Sequence, residues 1–141
     1  MTRHVELEVI PAAQQYGVGI IPWSPLHGGL LSGAIRKIKD GTAGRSGEGR
    51  ANDTLAEHRG TIEAYEKLCE SLDADPADVA LAWLLSRPGV TAPIIGPRTA
   101  EQLDKTLGAL TVTLDEDTLT RLDELFPPIG KGGPGPEAWA W

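Results

Sequence analysis

The sequence has one cysteine, one phenylalanine and few aromatic residues of any kind, 5% in all. A single thiol, Cys69, cannot close an intrachain disulfide, so a small secreted scaffold held by bridges is excluded and a reducing compartment is expected. Positive charge is scarce as well. Thirteen Lys plus Arg against 20 Asp plus Glu leave a net charge of −7, a field that repels a phosphate backbone, so nucleic-acid binding is not expected. No run approaches the roughly 18 apolar residues of a membrane span, and Met1-Thr2-Arg3-His4-Val5-Glu6 has no apolar signal core. A soluble cytoplasmic protein with no membrane partner is the expectation. Glycine and proline, by contrast, are plentiful at 17 and 11 of 141 residues, and they punctuate the chain.

Between those marks, helical and strand-like patterns alternate. Val5, Val9, Ala12, Ala13 and Tyr16 recur at helical spacing, with Glu6 and Glu8 at the end a helix dipole favours and Pro11 opening or kinking the helix. Gly17 stops it, and Val18-Gly19-Ile20-Ile21-Pro22-Trp23 is an apolar run of strand length. Residues 40–50 hold four glycines and no large apolar side chain, so a mobile loop is expected there. Leu55, Ile62, Tyr65, Leu68, Cys69 and Leu72 mark the next helical stripe. Asp75-Pro76-Ala77-Asp78 then sets a cap, a proline at the first helical position and a first-turn acid, predicting a helix over about 76–87. Val90-Thr91-Ala92-Pro93-Ile94-Ile95 is a second strand-sized run. Thr99 with Gln102 three residues on opens a helix to about Leu107. Asp115 caps a last helix that should bury Leu119, Leu122, Leu125 and Phe126. The pattern predicts two parallel strands in an α/β fold. Two such strands leave open edges, so the chain is expected either to assemble with copies or another polypeptide or to be a piece of something larger.

Two segments have the form strand, glycine-containing turn, helix start, which aims backbone N–H groups at an anion. The first is Trp23-Ser24-Pro25-Leu26-His27-Gly28-Gly29-Leu30-Leu31-Ser32-Gly33. The second is Gly96-Pro97-Arg98-Thr99-Ala100-Glu101-Gln102, where the planar Arg98 guanidinium suits a phosphate. Other candidates are weaker. His4, His27 and His58 lie far apart with no ligand spacing, so no metal site is expected. Ser24 and His27 lack a third orienting group for nucleophilic catalysis. Cys69 on an apolar stripe reads as a small buried hydrophobe. Arg45 and Arg50 sit in the glycine-rich loop as either lid or linker residues, and Trp139 and Trp141 end the tail either over a pocket or frayed.

The run Gly17 to Leu26 with Gly28-Gly29-Leu30-Leu31-Ser32-Gly33 resembles the seventh strand and cofactor loop of the aldo-keto reductases. Val79-Ala80-Leu81-Ala82-Trp83-Leu84-Leu85, and Ile94-Ile95-Gly96-Pro97-Arg98 with Glu101-Gln102-Leu103, resemble the family's seventh helix, eighth strand and adenosine-phosphate site. Arg3 with Glu6 and Glu8 is similar to the stretch after strand six. The resemblance implies that residues 1–126 are the C-terminal part of a (β/α)8 TIM barrel, incomplete by itself, with a tail over 127–141. It implies NADP(H) as cofactor and an aldehyde or ketone as substrate of the complete enzyme. Trp23 would stack on the nicotinamide. Ser24, Pro25, Leu26 and Gly28 would hold the pyrophosphate, and Gly96, Arg98 and Gln102 the adenosine-phosphate end.

Departures from the family pattern are visible. Lys105-Thr106 stand where many members have a Glu-Asn pair that contacts adenine. Ala34 replaces a basic residue, with Arg36 and Lys37 nearby. The family's catalytic Asp, Tyr, Lys and His have no match here; Tyr16-Gly17 imitates the Tyr-Gly pair, yet Pro11 stands where its Asp would be, and a core tyrosine closing a helix is expected instead. The readings are thus an oxidoreductase of which this chain carries the cofactor part, a non-catalytic nucleotide-binding or interaction module, or a half barrel completed by self-association.

Overall fold

Residues 3–42 and 49–131 are described by a computed structural model. Its architecture follows from where helix ends find partners. A 3₁₀ turn at His4–Glu6 precedes α1 (Val9–Gln15), in which Pro11 falls in the first turn, where its missing N–H costs nothing. Then come a 3₁₀ turn at His27–Gly29, α2 (Ala34–Lys39), α3 (Gly49–Ser71), α4 (Pro76–Leu85), α5 (Ala100–Leu107), a 3₁₀ turn at Gly108–Leu110 and α6 (Glu116–Leu125). No helix of the described residues is long and apolar enough to cross a membrane.

The core is built on α3 and α4. Ala51, Leu55, Ile62, Tyr65, Leu68 and Cys69 are all buried on one stripe of α3, which kinks at His58. Val79, Ala80, Leu81 and Ala82 are buried at four consecutive positions of α4, as expected of a helix covered on more than one side. The Tyr65 hydroxyl donates to the Pro76 carbonyl, and its ring meets the Phe126 ring edge-on at 5.8 Å, so one side chain joins α3, α4 and the end of α6. Burial pushes the Cys69 thiol up to about 11, consistent with a packing role for this fully buried residue.

Polar groups set the helix starts. Asp75 caps α4, accepting the Ala77 N–H at 2.9 Å, and its second oxygen lies 3.1 Å from Lys105 Nζ on α5 and 3.6 Å from Arg36 on α2. Burial opposes ionisation of this carboxyl, but the Ala77 N–H, Lys105 and Arg36 outweigh it and hold its pKa below the ordinary value. The start of α2 has no side-chain cap of its own, because its capping position is Gly33 in the left-handed region. Glu66 of α3 supplies the acceptors, taking the N–H groups of Ile35 and Arg36 at 2.8 and 3.1 Å. Asp115 caps α6 through the Thr118 N–H at 2.8 Å. Arg3 ties the N-terminal turn to α6, pairing with Glu6 and Asp123 at 2.6 Å each while its guanidinium lies over Trp83.

The two strand-like runs meet in parallel at one isolated bridge, Ile20 to Val90. Ile20 N–H donates to the Gly89 carbonyl at 2.9 Å, and Thr91 N–H to the Ile20 carbonyl at 2.8 Å. The next rung of a parallel ladder would need the N–H of residue 22 and that of residue 93. Both are proline, so neither bond can form. Ile94 N–H reaches the Pro22 carbonyl instead, at 2.8 Å. The two expected parallel strands are therefore corrected, among the described residues, to a single bridge and one displaced hydrogen bond.

Other expectations are corrected too. The first helix is shorter than 6–16, and its apolar stripe is not a core stripe: Val5 and Val9 are exposed, and Tyr16 is 81% exposed at the C-cap of α1. Helical spacing identifies a face but not whether anything lies against it. Asp40 caps α2 and residues 49–50 begin α3, so the expected 40–50 loop is narrower; residues 43–48, with Arg45, lie outside the described residues, as do Trp139 and Trp141. Of the four apolar residues expected to be buried on α6 and just after it, only Leu122 is fully buried. Thr118, whose N–H Asp115 accepts, is buried with it.

Two measurements check these contacts. A Cβ on Gly19 would overlap Thr91 Oγ1 and come within 3.2 Å of Thr91 Cβ, so Gly19→Ala should destabilise the chain by about 1–3 kcal/mol in urea unfolding. Thr91→Ala should recover part of that loss, and an unchanged unfolding midpoint in Gly19→Ala would show that the Ile20–Val90 register is wrong. Asp75→Ala should cost about 0.5–2 kcal/mol for the cap alone, and Asp75→Asn less, since it keeps an acceptor. A depressed folded pKa means that the carboxylate's contribution is present above the ordinary Asp value of about 4 and is lost as pH falls through the folded value. The stability gap between wild type and Asp75→Asn should therefore close below about pH 4; a gap that persists there would refute the ion-pair assignment.

Candidate functional site

Because the Ile20–Val90 bridge is parallel, the chain leaves both runs in the same direction. The two glycine turns, after residue 23 and after residue 95, thus start from the same end of adjacent segments. This is the arrangement in which loops at the C-terminal ends of parallel strands form a binding crevice.

The first turn is pinned from below by apolar contact and strained above. Leu30 and Leu31 are buried and Leu26 packs against the same core, which draws the turn down onto α3. To make that path, Ser24 and His27 take left-handed backbone angles, φ 51° and 49°, followed by Gly28 at 67° and Gly29 at 99°. For the two non-glycine residues this costs roughly 1–2 kcal/mol each, and such strain gathers at sites of function. His27 Nε2 lies 3.2 Å from Thr54 Oγ1 of α3, anchoring the turn laterally. Inside the turn, His27 N–H donates to the Ser24 carbonyl at 2.9 Å and Gly29 N–H to the Leu26 carbonyl at 3.0 Å, and the N–H groups of Leu30, Leu31 and Ser32 close onto the carbonyls of His27, Leu26 and Gly29. The N–H groups of Ser24, Leu26 and Gly28 make no hydrogen bond among the described residues. Open N–H groups in left-handed and turn backbone are the donors of anion-binding concavities, although Pro25 supplies none here and the His27 N–H is taken by Ser24. The Trp23 ring, 73% exposed, stands at the entrance of the same turn.

The second turn is organised by a variant of the capping box. Thr99 Oγ1 accepts the Gln102 N–H at 3.2 Å. Gln102 Oε1 accepts the N–H of Arg98 at 2.7 Å, one residue earlier than the cap position that a regular box would serve. Arg98 and Gln102, both assigned from sequence, are thus brought together by a backbone bond. With its oxygen turned to the Arg98 N–H, the Gln102 amide is oriented, and it still has its NH₂ and one oxygen lone pair to offer a ligand. The Arg98 guanidinium makes no hydrogen bond or ion pair among the described residues, and the N–H groups of Ala100 and Glu101 at the start of α5 are unpaired there as well. Gly96 has open space where a Cβ would be, so it leaves the approach to these groups clear.

Sequence reasoning expected a helix start after the first turn but missed the extent of α2 and what it brings. Arg36 faces Asp75, and Lys37 reaches back to the first turn, its Nζ donating to Ser32 Oγ at 2.9 Å. No local side chain caps this helix, since its cap comes from Glu66 on α3. Among the described residues, no three His, Cys, Asp or Glu side chains gather as a metal site requires. Cys69 and Tyr65 are buried among apolar groups, and Tyr16, 81% exposed, has no acid or base partner among the described residues.

The family model described as Aldo/keto reductase family matches residues 1–126. The chain is 45% identical over 141 residues to an uncharacterized oxidoreductase, YrpG, of Bacillus subtilis, covering 100% of this chain and 41% of that protein. It is 31% identical over 128 residues to a probable aldo-keto reductase 1 of Glycine max, covering 89% and 37%. It is also 31% identical over 134 residues to a versiconal hemiacetal acetate reductase of Aspergillus parasiticus, covering 91% and 38%. The chain thus spans about two-fifths of the length of these relatives. A match that runs through both turns and the helices that hold them leaves one assignment: the chain belongs to the aldo/keto reductase family.

Proposed function

We propose that this chain is the dinucleotide-holding part of an NADP-dependent aldo-keto reductase, built as the C-terminal portion of a (β/α)8 barrel that acts on aldehydes or ketones. The observation that carries the reading is the pair of turns at one end of a parallel bridge, one with N–H groups and the other with a guanidinium that have no partner among the described residues. The donor set fits the cofactor. Trp23 offers an open aromatic face for a flat ring. Ser24, Pro25, Leu26 and Gly28 form the cradle for a pyrophosphate. Gly96, Arg98 and the Gln102 amide NH₂ meet a 2′-phosphate and its ribose, where a permanent, bidentate cation suits a dianion. When bound, NADPH would supply a hydride equivalent; the residues here bind and orient it and do not themselves move a proton.

The proton donor and the groups that stabilise a developing alkoxide belong to the family's Asp, Tyr, Lys and His, which no segment of these 141 residues matches. Exposed Val18, Ile21 and Ile94 on the bridged runs support a barrel completed by further polypeptide, either an N-terminal half or a second copy. A non-catalytic nucleotide-binding module would use the same turns without such completion. The buried single thiol fits a cytoplasmic setting.

Two measurements test this reading. Arg98→Ala should weaken NADPH binding by roughly 10- to 150-fold, the worth of a charged hydrogen bond, while leaving NADH affinity unchanged in calorimetry; equal weakening of both would remove the 2′-phosphate assignment. The 141-residue chain alone should oxidise no NADPH at 340 nm with a panel of aldehydes and ketones, because binding a reactant without stabilising the transition state supplies no chemical step. Turnover that survives repurification and disappears in Tyr16→Phe would make Tyr16 the acid and overturn the proposal.

A further inference from the structure

We propose that Lys37 is a positioning residue for the first turn, acting through Ser32 on the Gly29 carbonyl to fix the cradle of residues 24–29. The inference rests on the dinucleotide reading only for its consequence on binding; the relay itself is independent of it.

The geometry is a short chain of donors. Lys37 Nζ donates to Ser32 Oγ at 2.9 Å. An ammonium can only donate, so the Ser32 hydroxyl must accept at its lone pair and turn its own hydrogen elsewhere. It turns to the Gly29 carbonyl, at 2.7 Å. That carbonyl also accepts the Ser32 N–H at 3.1 Å, so both of its acceptor positions are filled from one residue and the peptide after Gly29 cannot rotate freely. Gly29 is the last of the left-handed residues in the cradle, at φ 99°, and it has no side chain to hold that angle. The preceding strain at Ser24 and His27 therefore needs a lock at the far end of the turn, and Lys37 with Ser32 provides one.

The choice of partner is informative. Lys37 is half-buried, and burial lowers its pKa. A cation in that position ordinarily finds a carboxylate. Here Asp75 is engaged by Arg36 and Lys105, and Glu66 by two N–H groups of α2. The ammonium is left to a neutral hydroxyl on the cofactor turn, which is a poor arrangement for stability alone and a good one for directing a proton. Ser32 is itself buried and its hydroxyl hydrogen has the Gly29 carbonyl as acceptor, so the Lys37 ammonium adds a charged donor to the same oxygen and strengthens that bond rather than creating it.

The test uses the full chain, with Lys37→Met, Lys37→Arg, Ser32→Ala and the Lys37→Met/Ser32→Ala double variant. Amide hydrogen exchange is followed without ligand at Leu30, Leu31 and Ser32, whose N–H groups close the turn onto His27, Leu26 and Gly29. Lys37→Met and Ser32→Ala should each speed exchange at these amides, Lys37→Arg should not, and the double variant should be no faster than Ser32→Ala, since both substitutions cut the same relay. Fluorescence titration with NADPH should show about two- to tenfold weaker binding by Lys37→Met and Ser32→Ala, with urea midpoints near wild type and affinity recovered in Lys37→Arg. Unchanged exchange in Lys37→Met overturns the relay whatever NADPH does. Faster exchange with unchanged NADPH affinity overturns its positioning role. Absence of NADPH binding by wild type overturns the proposed function, and the exchange results still decide the relay.

Discussion

Everything at the candidate site hangs on how residues 20–22 meet residues 89–94. A parallel ladder is a sum of evenly spaced hydrogen bonds, each of modest net worth, about 1 kcal/mol. Here proline at 22 and at 93 deletes the rung that would follow the Ile20–Val90 bridge, and Ile94 reaches over to the Pro22 carbonyl. The contact fixes direction and adjacency but is too short to hold two turns in place. Its register is set sterically instead, because Gly19 leaves room for the Thr91 side chain lying across it. The first turn is held by Leu26, Leu30 and Leu31 against the core, and the helix after the second is tied to the start of α4 through Lys105 and Asp75.

The helical layer works through a few cross-element contacts. Tyr65 joins α3 to Pro76 and Phe126; Glu66, one residue on, caps α2; Asp75 caps α4 and gathers Arg36 and Lys105. Strained angles at Ser24 and His27 persist only if the surroundings over-determine them. Leu26, Leu30 and Leu31 are drawn into the core formed by α3 and α4, and Thr54 holds His27. Packing energy from the core is thus converted into a turn in which the N–H groups of Ser24, Leu26 and Gly28 have no partner among the described residues.

Signals confined to one turn of chain were legible in the sequence. Asp75 with Pro76, Thr99 with Gln102, and Asp115 each announce a helix start through a side chain that caps its own segment, and each does so in the structure. The extent of α2 was not legible, since its capping acceptor lies about thirty residues away on α3. The exposure of Val9 and Tyr16 was not legible either, because periodicity reports a face and says nothing of its covering. For the site, glycine spacing and family resemblance marked Trp23 to Gly28 and Gly96 to Gln102. The Lys37 contact with Ser32 required the position of α2, which no local side chain fixes.

The acidity of the chain, −7 overall, is at odds with an anion-binding role only if charge acts as a total. Surface charges further apart than about 8 Å are largely screened at physiological salt, so the local balance decides. Several acids are spent internally: Glu66 and Asp75 face N–H groups and cations within the fold, Asp115 closes onto Thr118, and Asp123 answers Arg3. At the turns the balance reverses. Arg98 has no carboxylate partner among the described residues, Lys37 donates to a hydroxyl, and two helix-start N–H groups stand open beside Thr99. The caps that consume negative charge to start helices thus leave Arg98 and Lys37 without a hydrogen-bonded carboxylate among the described residues, with Glu101 in the first turn of α5 as the acid beside Arg98.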